Sequence, residues 1–481
     1  MLFNTFEFLI FLPIVFIFYW QVFNKSLKTQ NLLIFFASYF FYGFFSIKFL
    51  GILLIITLLD YFYGFQVTSA NKKKSKFFLW LSLINNLGIL ALFKYYNFFV
   101  SDFQVVLEYL GIRTNFTLLS LALPIGISFY TFHGMSYIFD IYRQKIKPIR
   151  SFIDYAVFVS FFPLLVAGPI ERANHLLPQI QNIRIFKYSQ AVQGCRLILW
   201  GMFKKIVVAD SLAYIVDAIF LDYMSNNAFT LIIGSIAFSF QIYADFSGYS
   251  DIALGTAKLF GFELLSNFKF PYFSRDLSEF WRRWHISLSS WFRDYLYIPL
   301  GGSLNGKGNT IRNTFIIFLV SGFWHGASWN FILWGFIHAC GFLPLLLFNK
   351  NREHINEIIA QNTFFPSLKE LFQVFRTFIF VTFAWIFFRI SDLNEIRNFL
   401  EHIFLSIIYN PIQFLHKPGG LMSLIFIIPL VIGDWYLRRD ERNLKVIKHK
   451  FFRMLLYVFL GILVLMGLFK TGDNAFIYFQ F

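Results

Sequence analysis

One ionisable side chain interrupts the apolar stretch Ser321 to Trp334, SGFWHGASWNFILW: His325, set between Gly322 and Gly326 and among three tryptophans. A neutral imidazole at membrane depth can accept a proton, and an ionisable residue inside an apolar run is a functional candidate. At this point the alternative is a core histidine bonded to a neighbouring carbonyl. A second histidine, His285, lies in DLSEFWRRWHISLSSWFRDYL, which at helical spacing sorts into two faces. Leu277, Phe280, Trp281, Trp284, Leu288, Trp291, Phe292 and Tyr295 share one face; Glu279, Arg282, Arg283, Ser289, Ser290, Arg293 and Asp294 share the other. His285 falls at the edge of the apolar face. Such a helix is too polar to span a bilayer and suits the membrane surface or the wall of a funnel. The tail FIYFQF surrounds Tyr478 with aromatic side chains, an odd composition for a solvated end. We expect it to turn back into a cavity of the protein, the alternative being an aromatic anchor at the interface. Asp245 and Asp251, in QIYADFSGYSD, are expected to cap helices or to pair with the arginines that follow.

The elements that must position these residues lie in a membrane. Across 481 residues, 57% are hydrophobic and 14% charged, and mean hydropathy is +0.60, far more apolar surface than one soluble core can bury. The net charge of +16 is carried by short Lys/Arg clusters between apolar runs, a pattern that anchors loops against anionic lipid and implies no nucleic-acid partner. Cys195 and Cys340 give neither a disulfide framework nor metal-ligand spacing, and both read as thiols within membrane runs. No cleavage site follows the first apolar run, so that run is expected to remain as a spanning helix.

Apolar runs near residues 6–23, 31–46, 49–67, 77–100 and 117–141 are each close to the length that crosses a bilayer. Lys25 and Lys28 follow the first, Lys72, Lys73, Lys74 and Lys76 the third, and Arg143, Lys145, Lys147 and Arg150 the fifth. The positive-inside bias therefore places the N-terminus outside. In FFPLLVAGPIER, Pro163, Gly168 and Pro169 predict a broken or re-entrant segment. Further runs at 190–222, 229–247, 312–348 (interrupted at Gly322 to Gly326), 371–390, 421–437 and 454–470 bring the expectation to about eleven spanning helices. Arg438, Arg439, Arg442, Lys445, Lys448, Lys450 and Arg453 precede the last run, which makes the C-terminus extracytoplasmic as well. The organisation expected is a single membrane domain over residues 1–481. It comprises peripheral helices in 1–150, a catalytic core in 151–350, C-terminal helices in 351–470 and an aromatic tail in 471–481. No transporter-like internal repeat is visible.

The blocks QIYADFSGYSDIALG, NFKFPYFSRDLSEFWRRWHISLSSWFRDYLYIPLGG and SGFWHGASWNFILWG, with the terminal FIYFQF, closely resemble the membrane-bound O-acyltransferase superfamily. Within it they resemble the bacterial branch of the alginate O-acetylation protein and the peptidoglycan O-acetyltransferase membrane subunit. The resemblance covers nearly the whole chain. It implies an all-α polytopic fold with spanning, re-entrant and interfacial helices around a central cavity, in the bacterial cytoplasmic (inner) membrane. It further implies transfer of acetyl from cytoplasmic acetyl-CoA, with no tightly bound cofactor, to a polysaccharide outside, aided by a separate extracytoplasmic SGNH-type O-acetyltransferase. The family's invariant histidine falls on His325 and its second motif residue on His285, and the similarity of the tail to the small protein that supplies an acyl-accepting tyrosine in the related teichoic acid D-alanylation system makes Tyr478 the candidate carrier.

The chemistry agrees with these positions. A phenol with a pKa of about 10 needs a base within hydrogen-bond reach at neutral pH. His325 can supply it, with Gly322 and Gly326 allowing close approach, and a helix starting near Ser328 could aim its amides at the developing oxyanion. His285 could orient the thioester or polarise its carbonyl, and Trp324 and Asn330 are candidates to line the substrate. Arg282, Arg283, Lys204 and Lys205 are candidates for the coenzyme A phosphates, with snorkelling at the interface as the alternative. A lipid or protein acyltransferase of the same superfamily is the nearest rival reading and a transporter a more distant one.

Overall fold

Inside a bilayer every backbone N–H must find its partner within the protein, so long apolar runs are satisfied as helices. The computed structural model is helical throughout and contains no strand among its described residues. It describes all residues except 113, 115, 167, 356, 410–422, 443–446, 448, 471–476 and 478–481. Among the described residues six helices are long and apolar enough to cross a membrane: Ile47–Val67, Lys72–Tyr109, Ala228–Leu259, Trp329–Leu347, Leu368–Arg389 and Lys450–Leu468. Shorter apolar helices accompany them at Phe6–Val22, Phe152–Leu165 and Ile427–Leu437. The protein is a multi-pass, all-α membrane protein.

The described residues gather into two compact units, one of residues 1–192 and 256–265, the other of residues 193–255 and 266–481. The first contains α1 (Phe6–Ile17), α2 (Leu27–Gly43), α3 (Ile47–Val67), α4 (Lys72–Leu90), α5 (Tyr96–Tyr109), α6 (Ile127–Tyr142), α7 (Phe152–Ser160), α8 (Phe162–Leu165) and α9 (Ala173–Gln181). Short polar side chains set several starts: Ser26, Ser46 and Asn71 each accept a backbone N–H of the first turn. The fifth apolar run becomes helical only at Ile127, after Gly126, shorter than the run expected from residue 117. The broken segment expected after residue 151 is present, since the chain leaves α7 at Phe161 and α8 lasts four residues.

α10 (Tyr188–Met202) and the 32-residue α12 (Ala228–Leu259) each contribute residues to both units. The second unit adds α11 (Asp210–Leu221), α13 (Leu277–Arg283), α14 (Ile286–Phe292), α15 (Gly306–His325), α16 (Trp329–Leu347), α17 (Leu368–Arg389) and α18 (Leu393–Tyr409). The helices Ile427–Leu437 and Lys450–Lys470 follow. A seven-residue π-helix, Phe203–Ala209, joins α10 to α11. All the described residues to which chemistry was assigned fall in this second unit.

Two local expectations change. The amphipathic segment around His285 is not one helix, because α13 ends at Arg283, Trp284 and His285 leave helical geometry, and α14 begins at Ile286. Its polar face is solvated only in part, with Arg293 exposed and Arg282 and Arg283 half-buried. Glu279 is buried, its two carboxylate oxygens held by Arg275 at 3.1 Å and Arg283 at 2.7 Å. The interruption expected between Gly322 and Gly326 occurs only at its end, with α15 continuous through His325.

Candidate active site

α15 and α16 pack backbone to backbone. A Cβ on Gly322 would lie 2.2 Å from the Phe331 carbonyl oxygen, and one on Gly335 would lie 2.3 Å from that of Phe318. Only glycine permits this crossing, the small-residue contact by which membrane helices approach closely. A Cβ on Gly326 would meet the Phe331 ring at 2.1 Å. These glycines therefore serve the helix hairpin, where the sequence reading gave them to the approach of substrate. The hairpin fixes His325, the last residue of α15, at 3% exposure. Its ring is enclosed edge-on by Trp334 at 5.1 Å and Phe388 at 5.2 Å between centroids. Ser328 is the N-cap residue of α16, as its position in the sequence suggests.

His285 occupies the break between α13 and α14 with φ of +44°, a left-handed conformation that a non-glycine residue adopts at a cost. Its backbone is held because Ile286 N–H donates to the Asn267 carbonyl at 2.9 Å. Its ring is held by the same asparagine, with His285 Nδ1 3.1 Å from Asn267 Oδ1. That oxygen also accepts from the Ser287 hydroxyl at 2.9 Å and the Ser287 amide, which identifies it as the carbonyl end of the Asn267 side chain. Nδ1 therefore carries the proton, and Nε2 presents a lone pair. Nε2 is buried and has no hydrogen-bond partner among the described residues. Complete burial pulls the imidazole from its usual 6.5 down to about 3, so the ring is neutral. In this tautomer Nε2 accepts a hydrogen bond and has no N–H with which to polarise a carbonyl, which removes one of the two roles the sequence offered for it.

The two histidines share one indole. Trp324 lies 4.8 Å from the His325 ring and 5.8 Å from the His285 ring. On its other side His285 meets Phe246 of α12 edge-on at 4.7 Å. Asn330, fully buried, donates to the Phe387 carbonyl at 3.0 Å and so ties α16 to α17. Tyr478 lies outside the described residues. Its neighbour Ile477 is 4% exposed, and its N–H donates to Asp245 Oδ2 at 2.7 Å.

The cations divide into two groups. Lys204 reaches Asp251 at 2.6 Å and the Ser247 hydroxyl at 3.0 Å, while Lys205 reaches Asp210 and Asp245, each at 2.8 Å. Both lysines are nearly fully buried and pair with the carboxylates of α11 and α12. Asp245 and Asp251 thus pair with lysines that precede them, not with the arginines that follow or as caps. Arg282 and Arg283 instead line a pocket of 530 Å³ with Lys269, Arg293, Arg438 and Arg439, opposed by Glu279, Glu357 and Glu441. Arg283 is engaged by Glu279 and by the Lys269 and Glu357 carbonyls. Arg282 donates through one terminal nitrogen to Ser278 and Asn351, and its other terminal nitrogen has no partner among the described residues.

Sequence reasoning passed over Asn267, whose signal is only its place in the block NFKF, eighteen positions before His285. It also passed over His338 on α16, buried among Trp281, Trp334 and Phe380, with neither ring nitrogen bonded to a described residue.

Two buried imidazoles on one indole and a cation-rich pocket thus lie in the same unit of a helical membrane protein. The chain belongs to the membrane-bound O-acyltransferase family (MBOAT), whose family model matches residues 34–391. It is an acyltransferase. It is 38% identical over 395 residues to the probable alginate O-acetylase AlgI of Azotobacter vinelandii, covering 81% of this chain and 75% of that protein. It is 35% identical over 432 residues to the peptidoglycan O-acetyltransferase of Helicobacter pylori, covering 83% and 79%. A teichoic acid D-alanyltransferase of Streptococcus thermophilus is 30% identical over 282 residues, 54% of this chain and 66% of that protein.

Proposed function

We propose that the protein is an O-acetyltransferase of the bacterial cytoplasmic membrane, passing acetyl from cytoplasmic acetyl-CoA to an extracytoplasmic polysaccharide such as peptidoglycan. The relatives named for alginate and peptidoglycan O-acetylation support the acetyl group and the polysaccharide. The observation that carries the chemistry is the placement of His285 and His325 against Trp324. In this reading the pocket of Arg282 takes the coenzyme A phosphates. The Tyr478 phenol gives its proton to His325 and attacks the thioester carbonyl. The C–S bond breaks as the C–O bond forms, and the proton passes to the departing thiolate. The His285 Nε2 lone pair, held outward by Asn267, accepts a hydrogen bond from donor or phenol, and Trp324 walls the reacting groups from water. Amides at the N-terminus of α16 meet the oxyanion. Acetyl-Tyr478 then yields its acetyl to an acceptor hydroxyl, through a separate SGNH-type O-acetyltransferase outside, and the phenol is regenerated. Basic clusters on alternate loops support an extracytoplasmic position for both termini.

Mass spectrometry of the C-terminal peptide after exposure to acetyl-CoA tests the carrier step, with an acetyl group on Tyr478 as the expected result. An unmodified Tyr478 in an enzyme that still needs His325 for turnover refutes it. Loss of turnover on deleting the residues after Gly472 separates this reading from an acyltransferase acting on lipid, which has no use for the tail.

A further inference from the structure

The tail is gripped by a carboxylate that the ion pairs around it do not require. Lys205 Nζ lies 2.8 Å from Asp210 and 2.8 Å from Asp245, one ammonium between two buried carboxylates. Asp210 alone would neutralise it. A second carboxylate at 2% exposure adds desolvation and repulsion unless its remaining oxygen has a partner. That oxygen, Asp245 Oδ2, accepts the backbone N–H of Ile477 at 2.7 Å, across 232 positions of sequence. Lys205 itself sits in the π-helix Phe203–Ala209, an irregularity that often marks a functional site. The next residue on α12, Phe246, packs edge-on against His285 at 4.7 Å. One short piece of α12 thus holds residue 477 and backs a histidine of the site.

We propose that Asp245 is a positioning residue for acyl transfer. It fixes the tail backbone at residue 477, one position before Tyr478. Lys205 orients the Asp245 carboxylate through its other oxygen. The grip reads a backbone N–H and no side chain, so any residue but proline at position 477 can be held. The proposal rests on the reading that Tyr478 carries the acetyl group.

Two measurements on the full-length protein in lipid nanodiscs test it: hydrogen exchange of the Ile477 amide, read by mass spectrometry, and steady-state turnover with acetyl-CoA. Asp245→Ala removes the grip from one side and Ile477→Pro from the other, and Asp210→Asn removes a carboxylate without touching the tail. In Asp245→Ala, exchange at Ile477 accelerates about tenfold or more and kcat falls by a similar factor, while KM for acetyl-CoA stays within about twofold. Ile477→Pro lowers kcat alike and leaves the buried charges intact, so it keeps the test open if Asp245→Ala does not fold. The double variant is no slower than either single one. In Asp210→Asn, exchange at Ile477 stays slow. Equal acceleration in Asp210→Asn and Asp245→Ala, or a fall in kcat matched by a rise in KM, makes Asp245 a structural charge and overturns the proposal. Unchanged exchange in Asp245→Ala refutes the grip even if Tyr478 is acetylated. Full turnover in Tyr478→Phe refutes the carrier reading, while exchange still reports the grip.

Discussion

Replacing Asn267 by alanine tests how the site sets the character of its second histidine. The substitution leaves the backbone bond from Ile286 to residue 267 in place and removes the side-chain oxygen that His285 Nδ1 and the Ser287 hydroxyl share. A buried donor left unpaired costs about 1–3 kcal/mol. The imidazole can avoid that cost only by moving its proton to Nε2, which turns the lone pair facing the site into a donor. Either way the catalytic form is disfavoured by that amount, so turnover should fall about 5- to 150-fold. The fall should appear in the initial rate of radiolabelled acetyl transfer from acetyl-CoA in proteoliposomes. Asn267→Asp keeps an oxygen acceptor and adds a charge that favours the imidazolium, so it should retain more activity than Asn267→Ala near neutral pH and lose it sooner on acidification. In a His285→Ala background the asparagine should no longer matter. Turnover of Asn267→Ala within about twofold of the parent at equal thermal stability would refute the argument, as would additive losses in the double variant.

Three further outcomes follow from the same geometry. His285 is held at about 3 in the folded protein against 6.5 in the unfolded chain, so the unfolded state takes up the proton first. Its contribution is complete above pH 6.5 and drains as pH falls from there toward 3, by about 1.4 kcal/mol per pH unit. Thermal midpoints between pH 7 and 4.5 should therefore fall less steeply for His285→Gln than for the parent, and identical slopes would refute this. Arg282→Ala should raise KM for acetyl-CoA about tenfold with kcat kept, since it removes a guanidinium with a nitrogen to spare. Lys204→Ala should instead lower the thermal midpoint, because the half-buried Asp251 is left without its cation at a cost of about 3 kcal/mol. The reverse pattern, with Lys204→Ala acting on KM alone, would restore that lysine to the phosphate site.

Much of the architecture was legible along the chain because a bilayer admits few solutions: apolar runs become helices, basic clusters mark their ends, and the Pro/Gly break after residue 151 breaks where it should. The split of the Trp284–His285 segment was not legible. Helical periodicity sorts Trp281, His285 and Phe292 without registering that Asn267 captures the next backbone N–H and forces His285 out of the helix. The same blindness sent Lys204 and Lys205 to an anionic ligand and Asp245 and Asp251 to other partners. Each is a costly buried charge when read alone, and their pairing needs α10, the π-helix and α12 to pack together.

The sequence by itself determined the medium, most of the helices and the candidate reactive groups, because hydropathy and residue chemistry are local properties. The tertiary structure decided which nitrogen of His285 holds the proton, which arginine keeps a hydrogen bond to give, and which aspartate holds the tail. Those outcomes depend on hydrogen bonds between residues 18 and 232 positions apart, and linear spacing carries no trace of them. Glycines at 322 and 335 belong to both accounts, visible as small residues in the chain but assigned to the α15–α16 contact only by the backbone atoms they face.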